Sequence, residues 1–409
     1  SFVSSFYLVS LETSEKIKVK SIKYLTPDAL KESVMRTYLG FKEGDIFSEK
    51  YFKLLVELAK IRFRNYNVFN DIKILVNDAS DSPNEKVIFI KLIPGFGDTF
   101  DAGLWFFKYG KKNFLKRGDS LELFMGVNKN IAEFTHNLPF GWLYFTHRTG
   151  WDWKFSVPFF PFYPLYGDRY DYFHNFFSTA EMGFKLHPDI KFGFYAGTLV
   201  NFSQNVKKEW TFDFLRAGFP LGVFFTIDQR YLSEKFLVGY KIDLKGGVNI
   251  DAQGQNTFPE SLLQLKFNFV PNEYVMISDK SILKNQINNR NEKIMIYIND
   301  TDYHRGKITN GDLYGNFLIV NNLDIKATFF KFYTGSIYLY FGITGFYDLT
   351  ILAKDYELVE MTNSLSVNHT LGGGMWVRMG FPVDLTIYAN FGYTLDNSWN
   401  FSVSLGEFF

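Results

Sequence analysis

Arg305, in the pair Arg305-Gly306, is the residue whose chemistry most clearly demands a partner, because a guanidinium stays charged at any physiological pH. In a polar interior it needs carboxylates nearby, and it can bind one with two parallel hydrogen bonds. Asp324 and Asp348 fall in two segments that we predict to be adjacent strands. Asp324 and Asp348 are therefore the candidate partners of Arg305. The alternative is an ordinary exposed loop arginine.

The sequence shows no enzyme motif. It contains no Gly-x-Ser-x-Gly elbow, phosphate-binding Gly-x-x-x-x-Gly-Lys-Ser/Thr loop or His-Glu-x-x-His pair. There are no cysteines, and the six histidines are scattered, so we predict neither a metal site nor a cofactor. The run Gly372-Gly373-Gly374 lacks the following helix that a phosphate loop needs, which favours a strand bend or a close backbone approach. A net charge of +1 gives no support for a nucleic-acid partner.

The C-terminal stretch from Trp399 to Phe409 alternates apolar and polar residues, as a strand with two different faces does. Trp399 and Phe401 open the apolar face, and Phe409 closes it. Aromatic residues make up 20% of the chain, yet the mean hydropathy is only -0.09. This combination is typical of a transmembrane β-barrel, in which lipid-facing and lumen-facing residues alternate. A large soluble β-sandwich or propeller is the alternative.

Residues 97–409 repeat this alternation, and no amphipathic helix is evident among them. Short turns alternate with long polar connections, which favours an antiparallel up-and-down barrel of about sixteen strands. Long connections are predicted at Asp251–Glu260, Asp279–Lys293 and Lys354–Thr370. The clearest predicted strands are Phe100–Phe106, Leu121–Val127, Trp142–Thr146, Trp151–Val157, Phe192–Ala196, Val223–Ile227, Phe236–Leu244, Leu263–Phe269, Ile294–Ile298, Phe317–Ile325, Ile337–Phe346, Met375–Phe381, Leu385–Tyr393 and Trp399–Phe409.

Residues 16–94 have a different character, rich in lysine, glutamate and aliphatic residues, and their order β-α-α-β-β predicts a small α+β domain. The first helix is expected to be capped by Thr26, to begin at Pro27 and to end at Gly40, with a turn from Phe41 to Phe47. Ser48 is expected to cap the second helix. Two strands, Asp71–Asn77 and Lys86–Ile93, complete the domain. Residues 1–15 are expected to be a linker from a missing N-terminal part, or a tail that docks on the next domain.

This order of elements resembles the BamA-like superfamily of outer-membrane proteins, in which POTRA domains of order β-α-α-β-β precede a sixteen-stranded barrel. In that family a long sixth loop carries an Arg-Gly motif that folds into the lumen and pairs with an acidic residue of a Phe-x-Asp motif in strand thirteen. Arg305-Gly306 matches the loop motif, and Phe346-Tyr347-Asp348 matches the strand motif. Five predicted strands follow Arg305, as the family requires. His304 and Lys307 depart from the aliphatic and aromatic residues usual at those positions.

The single POTRA-like domain makes the chain most similar to the patatin-type, or type Vd, autotransporters. The resemblance implies an outer-membrane translocator that anchors and helps to secrete a passenger fused upstream, with the POTRA domain in the periplasm. Any phospholipase domain would then lie upstream of Ser1, and this chain itself is expected not to be an enzyme. A BamA-type insertase and a passive pore or adhesin are the alternatives. The expected partners are the lipid bilayer, an unfolded polypeptide at the POTRA domain and the outer-membrane assembly machinery.

In such a barrel the C-terminal stretch becomes the closing strand, paired with the first barrel strand near Thr99–Phe107, and Phe409 resembles a C-terminal assembly signal. Glu407 interrupts the apolar face, and Gly406 weakens the strand beside it. We therefore expect this end of the seam to be incompletely paired.

Overall fold

The computed structural model describes residues 16–27, 29–65, 69–79, 82–94, 98–103, 106–112, 120–126, 131–140, 142–155, 171–187, 189–205, 211–233, 236–254, 257–272, 274–287, 289, 296–297, 314–334, 337–354, 365–380, 385–394 and 398–405. They form a small α+β unit followed by a closed β-barrel. Residues 1–15, predicted as a linker, lie outside the described residues.

The α+β unit is a four-stranded mixed sheet with two helices packed against it. Its sheet order is β2-β1-β4-β3, in which β1 and β4 run parallel and the other pairs run antiparallel. Neither helix reaches the length and apolar character needed to span a membrane. In chain order the elements are β1 (Lys16–Tyr24), α1 (Glu32–Leu39), β2 (Ile46–Ser48), α2 (Glu49–Asn65), β3 (Phe69–Ala79) and β4 (Ser82–Pro94).

The predicted start of the first helix was wrong. The helix begins at Glu32, and its N-cap position, Lys31, makes no side-chain capping bond. Thr26 bonds to the sheet instead, because its Oγ1 accepts a hydrogen bond of 2.8 Å from the Leu92 N–H of β4. The predicted end is confirmed, because Gly40 adopts a φ of 73°, the left-handed conformation that a glycine at a helix C-terminus adopts without strain.

The second helix is capped as predicted, since the Tyr51 N–H donates to Ser48 Oγ at 3.4 Å. The turn predicted from Phe41 to Phe47 is shorter than expected, because Ile46–Ser48 adds the edge strand β2 to β1. One apolar core lies between the helices and the sheet, and it includes Leu30, Val34, Leu39, Phe52, Phe63, Ile88, Ile90 and Leu92.

Strands β5 to β23 follow, and all but β17 and β18 lie in the barrel wall, which closes between β23 and β5. Successive wall strands are antiparallel neighbours, and β12 and β13 both pair with β14. The strands are β5 (Asp98–Gly103), β6 (Phe106–Lys112), β7 (Ser120–Gly126), β8 (Ile131–Phe140), β9 (Leu143–Phe155), β10 (Asp171–His187), β11 (Ile190–Asn205), β12 (Thr211–Asp228), β13 (Tyr231–Ser233), β14 (Phe236–Asp251), β15 (Phe258–Asn272), β16 (Val275–Gln286), β17 (Ile296–Tyr297), β18 (Tyr314–Gly315), β19 (Phe317–Thr334), β20 (Ile337–Ala353), β21 (Leu365–Gly380), β22 (Leu385–Thr394) and β23 (Ser398–Leu405).

The two faces of the wall differ as the alternation predicts. On β20 to β22, and on β19 as far as the bulge after Thr328, the even-numbered side chains face the lumen and are mostly buried and polar, and the odd-numbered side chains face outward and are mostly apolar. Leu371 and Phe391 are among the exposed apolar side chains, whereas Asn322 and Thr370 are among the buried polar ones. The barrel is therefore the reverse of a soluble globular domain, with its apolar face outside.

Several predicted strand boundaries were wrong. Phe100–Phe106 spans two strands, β5 and β6. Trp142–Thr146 and Trp151–Val157 overlap one strand, β9, and residues 156–157 lie outside the described residues. β8 and β10 were not predicted as strands. Ile294–Ile298 contributes β17, which pairs with β18 outside the wall.

Two predicted polar connections overlap the wall. Asp279–Lys293 begins inside β16, and Lys354–Thr370 ends inside β21. The misassignment of β16 has a physical cause: Lys280 faces the lumen while Asp279 and Ser281 face outward, so neither face reads as apolar. The connection predicted at Asp251–Glu260 likewise includes the start of β15.

Candidate lumenal site

Asp324 and Asp348 lie where the sequence analysis requires, on the lumenal face of two adjacent strands. Asp348 of β20 stands opposite Asn322 of β19, and Asp324 stands opposite Phe346, so the carboxylates are diagonal neighbours. Their exposed fractions are 1% for Asp324 and 0% for Asp348. The Phe346-Tyr347-Asp348 motif was expected at the end of its strand, but it lies inside β20.

Buried carboxylates need compensating donors or cations, because burial without them is costly. The Asn322 amide supplies one donor, since its Nδ2 donates to Asp348 Oδ1 at 2.8 Å. Neither aspartate is without other partners. The site is thus an acidic, buried patch of the wall, suited to a guanidinium that can offer several donors at once.

Phe346 fixes the shape of this patch. A methyl group at Gly372 would lie 2.2 Å from the Phe346 Cζ, and one at Gly392 would lie 3.6 Å from it, so the ring rests on glycine backbone. The close backbone approach predicted for Gly372-Gly373-Gly374 is thereby confirmed at Gly372. Gly373 faces the other way, where a methyl group would be 3.3 Å from the Thr344 carbonyl oxygen.

A second aromatic side chain, Trp376, covers Gly342 in the same manner, with its indole Nε1 donating to the Ile343 carbonyl at 3.1 Å. On the same lumenal face, the Lys326 ammonium donates a hydrogen bond of 3.0 Å to the Tyr388 hydroxyl. Its Nζ lies 4.8 Å from the centre of the Tyr388 ring. The lumenal wall is therefore built from flat aromatic rings on glycines, with charged groups between them.

The described strands of the long connection between β16 and β19 (residues 287–316) lie inside the barrel. Ile296 of β17 is buried against Ile282, Leu318, Val320 and Leu352, all of which face the lumen. The β17–β18 pair places Ile296 opposite Gly315, and a methyl group at Gly315 would lie 2.5 Å from the Ala353 carbonyl oxygen. This part of the connection is therefore anchored inside the lumen.

Arg305 and Gly306 belong to the same connection but lie outside the described residues. Arg305 is eight positions after Tyr297 in the sequence, a reach of up to about 26 Å when extended. Val320 and Asp324 are four residues apart on β19, or about 13 Å. The reach from the anchored strand to both aspartates is thus sufficient, and the pairing of Arg305 with Asp348 or Asp324 stays a prediction.

Trp399 and Phe401 lie on the exposed outer face of β23, with Trp399 packed 4.9 Å from Phe391 and 4.6 Å from Tyr393 between ring centres. β23 pairs with β22 over its whole length. Its neighbour across the seam is β5, which has 6 residues, whereas β12 has 18. Gly406, Glu407 and Phe409 lie outside the described residues, so the incompletely paired seam remains a prediction.

The α+β unit docks on the barrel at the turn between β10 and β11, a contact that the sequence analysis missed. Arg62 of α2 donates two hydrogen bonds to Asp189, Nε to Oδ1 at 3.3 Å and Nη2 to Oδ2 at 3.0 Å. His187 Nδ1 lies 3.5 Å from Asp189 Oδ2. Lys185 lies 5.6 Å from the centre of the Tyr38 ring of α1.

The electrostatics of the turn favour this ion pair. Burial raises the pKa of Asp189, but hydrogen bonds from His187 and Arg62 outweigh it and hold the pKa below its ordinary value of 3.8. Burial raises the pKa of Tyr38 to about 12, so this phenol stays neutral. Within the described residues, no group of three or more histidine, aspartate or glutamate side chains is placed to hold a metal ion.

Three solved structures have the same architecture. BamA from Haemophilus ducreyi lacking POTRA domains 1–3 aligns with a TM-score of 0.54 and 12% identity over 95% of this chain and 85% of its own. CdiB from Escherichia coli aligns with a TM-score of 0.55 and 12% identity over 95% of this chain and 75% of its own. The chain shares the fold of BamA and CdiB. CdiB from Acinetobacter baumannii aligns with a TM-score of 0.50 and 13% identity over 96% and 74% of the two chains. No protein-family model matches the sequence, and a search of curated protein sequences finds no match.

Proposed function

We propose that this chain is a bacterial outer-membrane protein of the BamA-like superfamily that moves polypeptides into or across the membrane. The observation that carries the proposal is the anchoring of the β16–β19 connection inside a polar lumen by Ile296. The described strands β17 and β18 of this connection lie inside the lumen, and the acidic wall patch is within the reach of Arg305 from Tyr297. The shared fold with BamA and CdiB supports the same assignment.

The outer surface supports a membrane location. Near the end of the barrel at which the α+β unit docks, Trp142 stacks on Phe184 at 5.4 Å, and Phe184 packs on Phe192 at 5.3 Å. Towards the other end, Trp151 stacks on Phe176 at 5.6 Å. Phe176 and Phe184 are eight residues apart on β10, about 26 Å along the strand, which a tilt of about 40° shortens to roughly 20 Å. Aromatic girdles flank an apolar band of about this height in outer-membrane barrels.

The number of strands fits the same assignment. Only Gln229 and Arg230 separate β12 from β13, and both strands pair with β14. Counted as one interrupted strand, they give the described part of the wall sixteen strands, which agrees with the number that the family resemblance implies.

The α+β unit is proposed to be a POTRA domain in the periplasm that receives unfolded polypeptide. β3 is an edge strand of 11 residues, with exposed Leu75 and Val76. An extended segment can add to such an edge through backbone hydrogen bonds. Unfolded polypeptide is thus the expected partner at β3.

The leading form of the proposal is a translocator that secretes a polypeptide fused ahead of this chain, as in type Vd autotransporters, and the sequence resemblance supports it. A BamA-type insertase is the second candidate, favoured by the short strands at the closure. β5, β6 and β7 have 6, 7 and 7 residues, against 17, 16 and 18 for β10, β11 and β12. Short strands offer few hydrogen bonds, so an insertase could open there.

Reconstitution separates these functions. The full chain is placed in lipid vesicles, and unfolded polypeptides are added on the side that carries the α+β unit. A translocator makes a non-barrel polypeptide resistant to external protease, whereas an insertase accelerates the folding of a denatured barrel protein. Conductance that neither substrate changes would leave only a passive pore and refute the proposal.

A variant of β3 tests the entry step. Val76→Pro removes a backbone donor and places a ring at the exposed edge, so it should weaken substrate capture. Lys73→Gln, an exposed change on the same strand, is the matched control and should leave capture unchanged.

A further inference from the structure

A carboxylate lies on the outer face of the barrel wall. Asp279 of β16 faces outward and is half-buried. The Asn321 Nδ2 donates hydrogen bonds of 2.8 Å to Asp279 Oδ1 and 2.9 Å to Ser281 Oγ, and the Ser281 hydroxyl donates to Asp279 Oδ2 at 3.2 Å. These three residues form the outer polar cluster. An ionisable side chain on a lipid-facing surface is costly, so it calls for a partner.

The surroundings of the cluster are apolar. The direct neighbours of Asp279 on the adjoining strands are Phe267 of β15 and Leu323 of β19. Phe267 is 41% exposed, so this part of the wall is open to the outside. The other outward-facing neighbours of Asp279 on the three strands, apart from the cluster itself, are Leu265, Phe269, Ile277 and Ile325. The cluster is therefore a polar island in an apolar face.

No described residue supplies a cation to Asp279. Its contacts with Asn321 and Ser281 are its only hydrogen bonds among the described residues, and it forms no ion pair with them. Lys280 and its direct neighbour Lys266 face the lumen, on the other side of the wall. On the outer face, His369 is three strands away and contacts the Tyr347 hydroxyl at 2.7 Å. Two neutral donors alone thus compensate the carboxylate.

The hydrogen-bonding capacity left in the cluster is acceptor capacity. A carboxylate has about four acceptor positions, and Asp279 uses two of them on described residues. Asn321 spends its N–H groups within the cluster, and its Oδ1 accepts no hydrogen bond from a described residue. A matching ligand is positively charged and offers several N–H donors at once, and a primary ammonium has both properties.

The cluster lies at a level that a lipid head group can reach. Successive wall strands alternate in direction, so the β15–β16 turn is at the end where the α+β unit docks. Asp279 is four positions after Val275, about 13 Å along the strand and about 10 Å in height at a tilt of about 40°. Three exposed aromatic residues, Tyr240, Phe267 and Phe269, lie on this part of the outer face. Aromatic side chains mark the head-group level in outer-membrane barrels.

We propose that the outer polar cluster binds a phospholipid whose head group ends in a primary ammonium, such as phosphatidylethanolamine. The ammonium pairs with Asp279 and donates to Asn321 Oδ1, while the acyl chains cover the apolar side chains around the cluster. A single carboxylate in an apolar face suits one head group better than the charged surface of a second protein. The proposal rests on the membrane location proposed above and is independent of polypeptide transport.

The test compares lipids that differ only in the head group. The full chain in detergent is mixed with dioleoyl phosphatidylethanolamine, its N-methyl or N,N-dimethyl derivative, or dioleoyl phosphatidylcholine, and native mass spectrometry measures the bound lipid. All of these head groups carry one positive charge on nitrogen, but the N–H donors fall from three to none along the series. We expect the affinity to fall by at least about tenfold from first to last, because charge-assisted hydrogen bonds are lost.

Matched variants connect this preference to the cluster. Asp279→Asn keeps the shape of the side chain and removes its charge, so it should abolish the preference for phosphatidylethanolamine. Asn321→Leu keeps the net charge but removes the free acceptor, so it should weaken the preference. Asp71→Asn removes the same charge from the α+β unit, where Asp71 pairs with Lys73 at 3.3 Å, and should bind as the wild type does. If Asp279→Asn fails to fold, Asn321→Leu still tests the site.

Two results would overturn the proposal. Equal binding of all these lipids by the wild type would leave the cluster to another occupant, such as a cationic side chain of a membrane partner. An equal preference in Asp279→Asn and Asp71→Asn would show that the charge of Asp279 does not contribute. A chain that binds none of the lipids and does not insert into vesicles would overturn the membrane location as well, so the two failures are distinguishable.

Discussion

The ion pair between Arg62 and Asp189 should hold the α+β unit against the barrel, and Arg62→Met should release it. The side chains are 9% and 19% exposed, so the substitution leaves Asp189 largely buried without its main cation. Removing one partner of a fully buried pair costs about 3–5 kcal/mol, and the partial exposure of this turn reduces our expectation to about 2 kcal/mol. That corresponds to a roughly thirtyfold shift from docked to undocked molecules.

Spin labels measure this shift directly. The chain contains no cysteine, so cysteines introduced at the exposed positions Lys73 and Gln253 would be its only labelling sites. We expect one narrow distance distribution for the wild type and a broad one for Arg62→Met. Arg36→Met is the matched control: its pair with Glu32 is exposed and worth only about 0.3–0.5 kcal/mol. An unchanged distribution in Arg62→Met would refute the reasoning.

Docking of the α+β unit on the barrel should weaken at low pH. Docking holds the pKa of Asp189 below 3.8. The contribution of this carboxylate to docking is therefore fully present above that pH, and it is lost as the pH falls through the lower pKa of the docked state. The wild-type distribution should therefore broaden only below about pH 4. Asp189→Asn should be broad already at pH 7, and a narrow distribution in that variant would contradict the assignment.

Three other predictions concern packing and the lumenal patch. Gly372→Ala should cost about 2 kcal/mol, because its methyl group overlaps the Phe346 ring, whereas Gly373→Ala should be nearly neutral in the same thermal denaturation. Asp348→Asn should expose the neighbouring connection, so trypsin should cleave at Arg305 faster than in the wild type; equal rates would argue against the pairing. Leu30→Ala should destabilise the α+β unit by about 2–5 kcal/mol, seen as faster hydrogen exchange in its sheet but not in the barrel.

Local sequence patterns were sufficient for the architecture. Alternation on a strand such as β21 determines which residues face outward and which face the lumen, because strand side chains alternate with period two. The same rule failed on β16, where polar residues occupy both faces. The rule for helix capping failed at Thr26. Its side chain bonds to β4 instead of capping a helix, and that bond depends on a strand 66 residues away.

The register of the wall was decided only in the tertiary structure. A slip of two residues between neighbouring strands leaves every side chain on its original face, so periodicity cannot distinguish the two arrangements. Yet such a slip would separate Lys266 from Lys280 and move Phe346 off Gly372. The contact of Arg62 with Asp189, 127 residues apart, depends likewise on how the α+β unit sits on the barrel. The sequence alone therefore determined the elements and their two faces, while the neighbours that give each charged group its chemistry came from the assembled barrel.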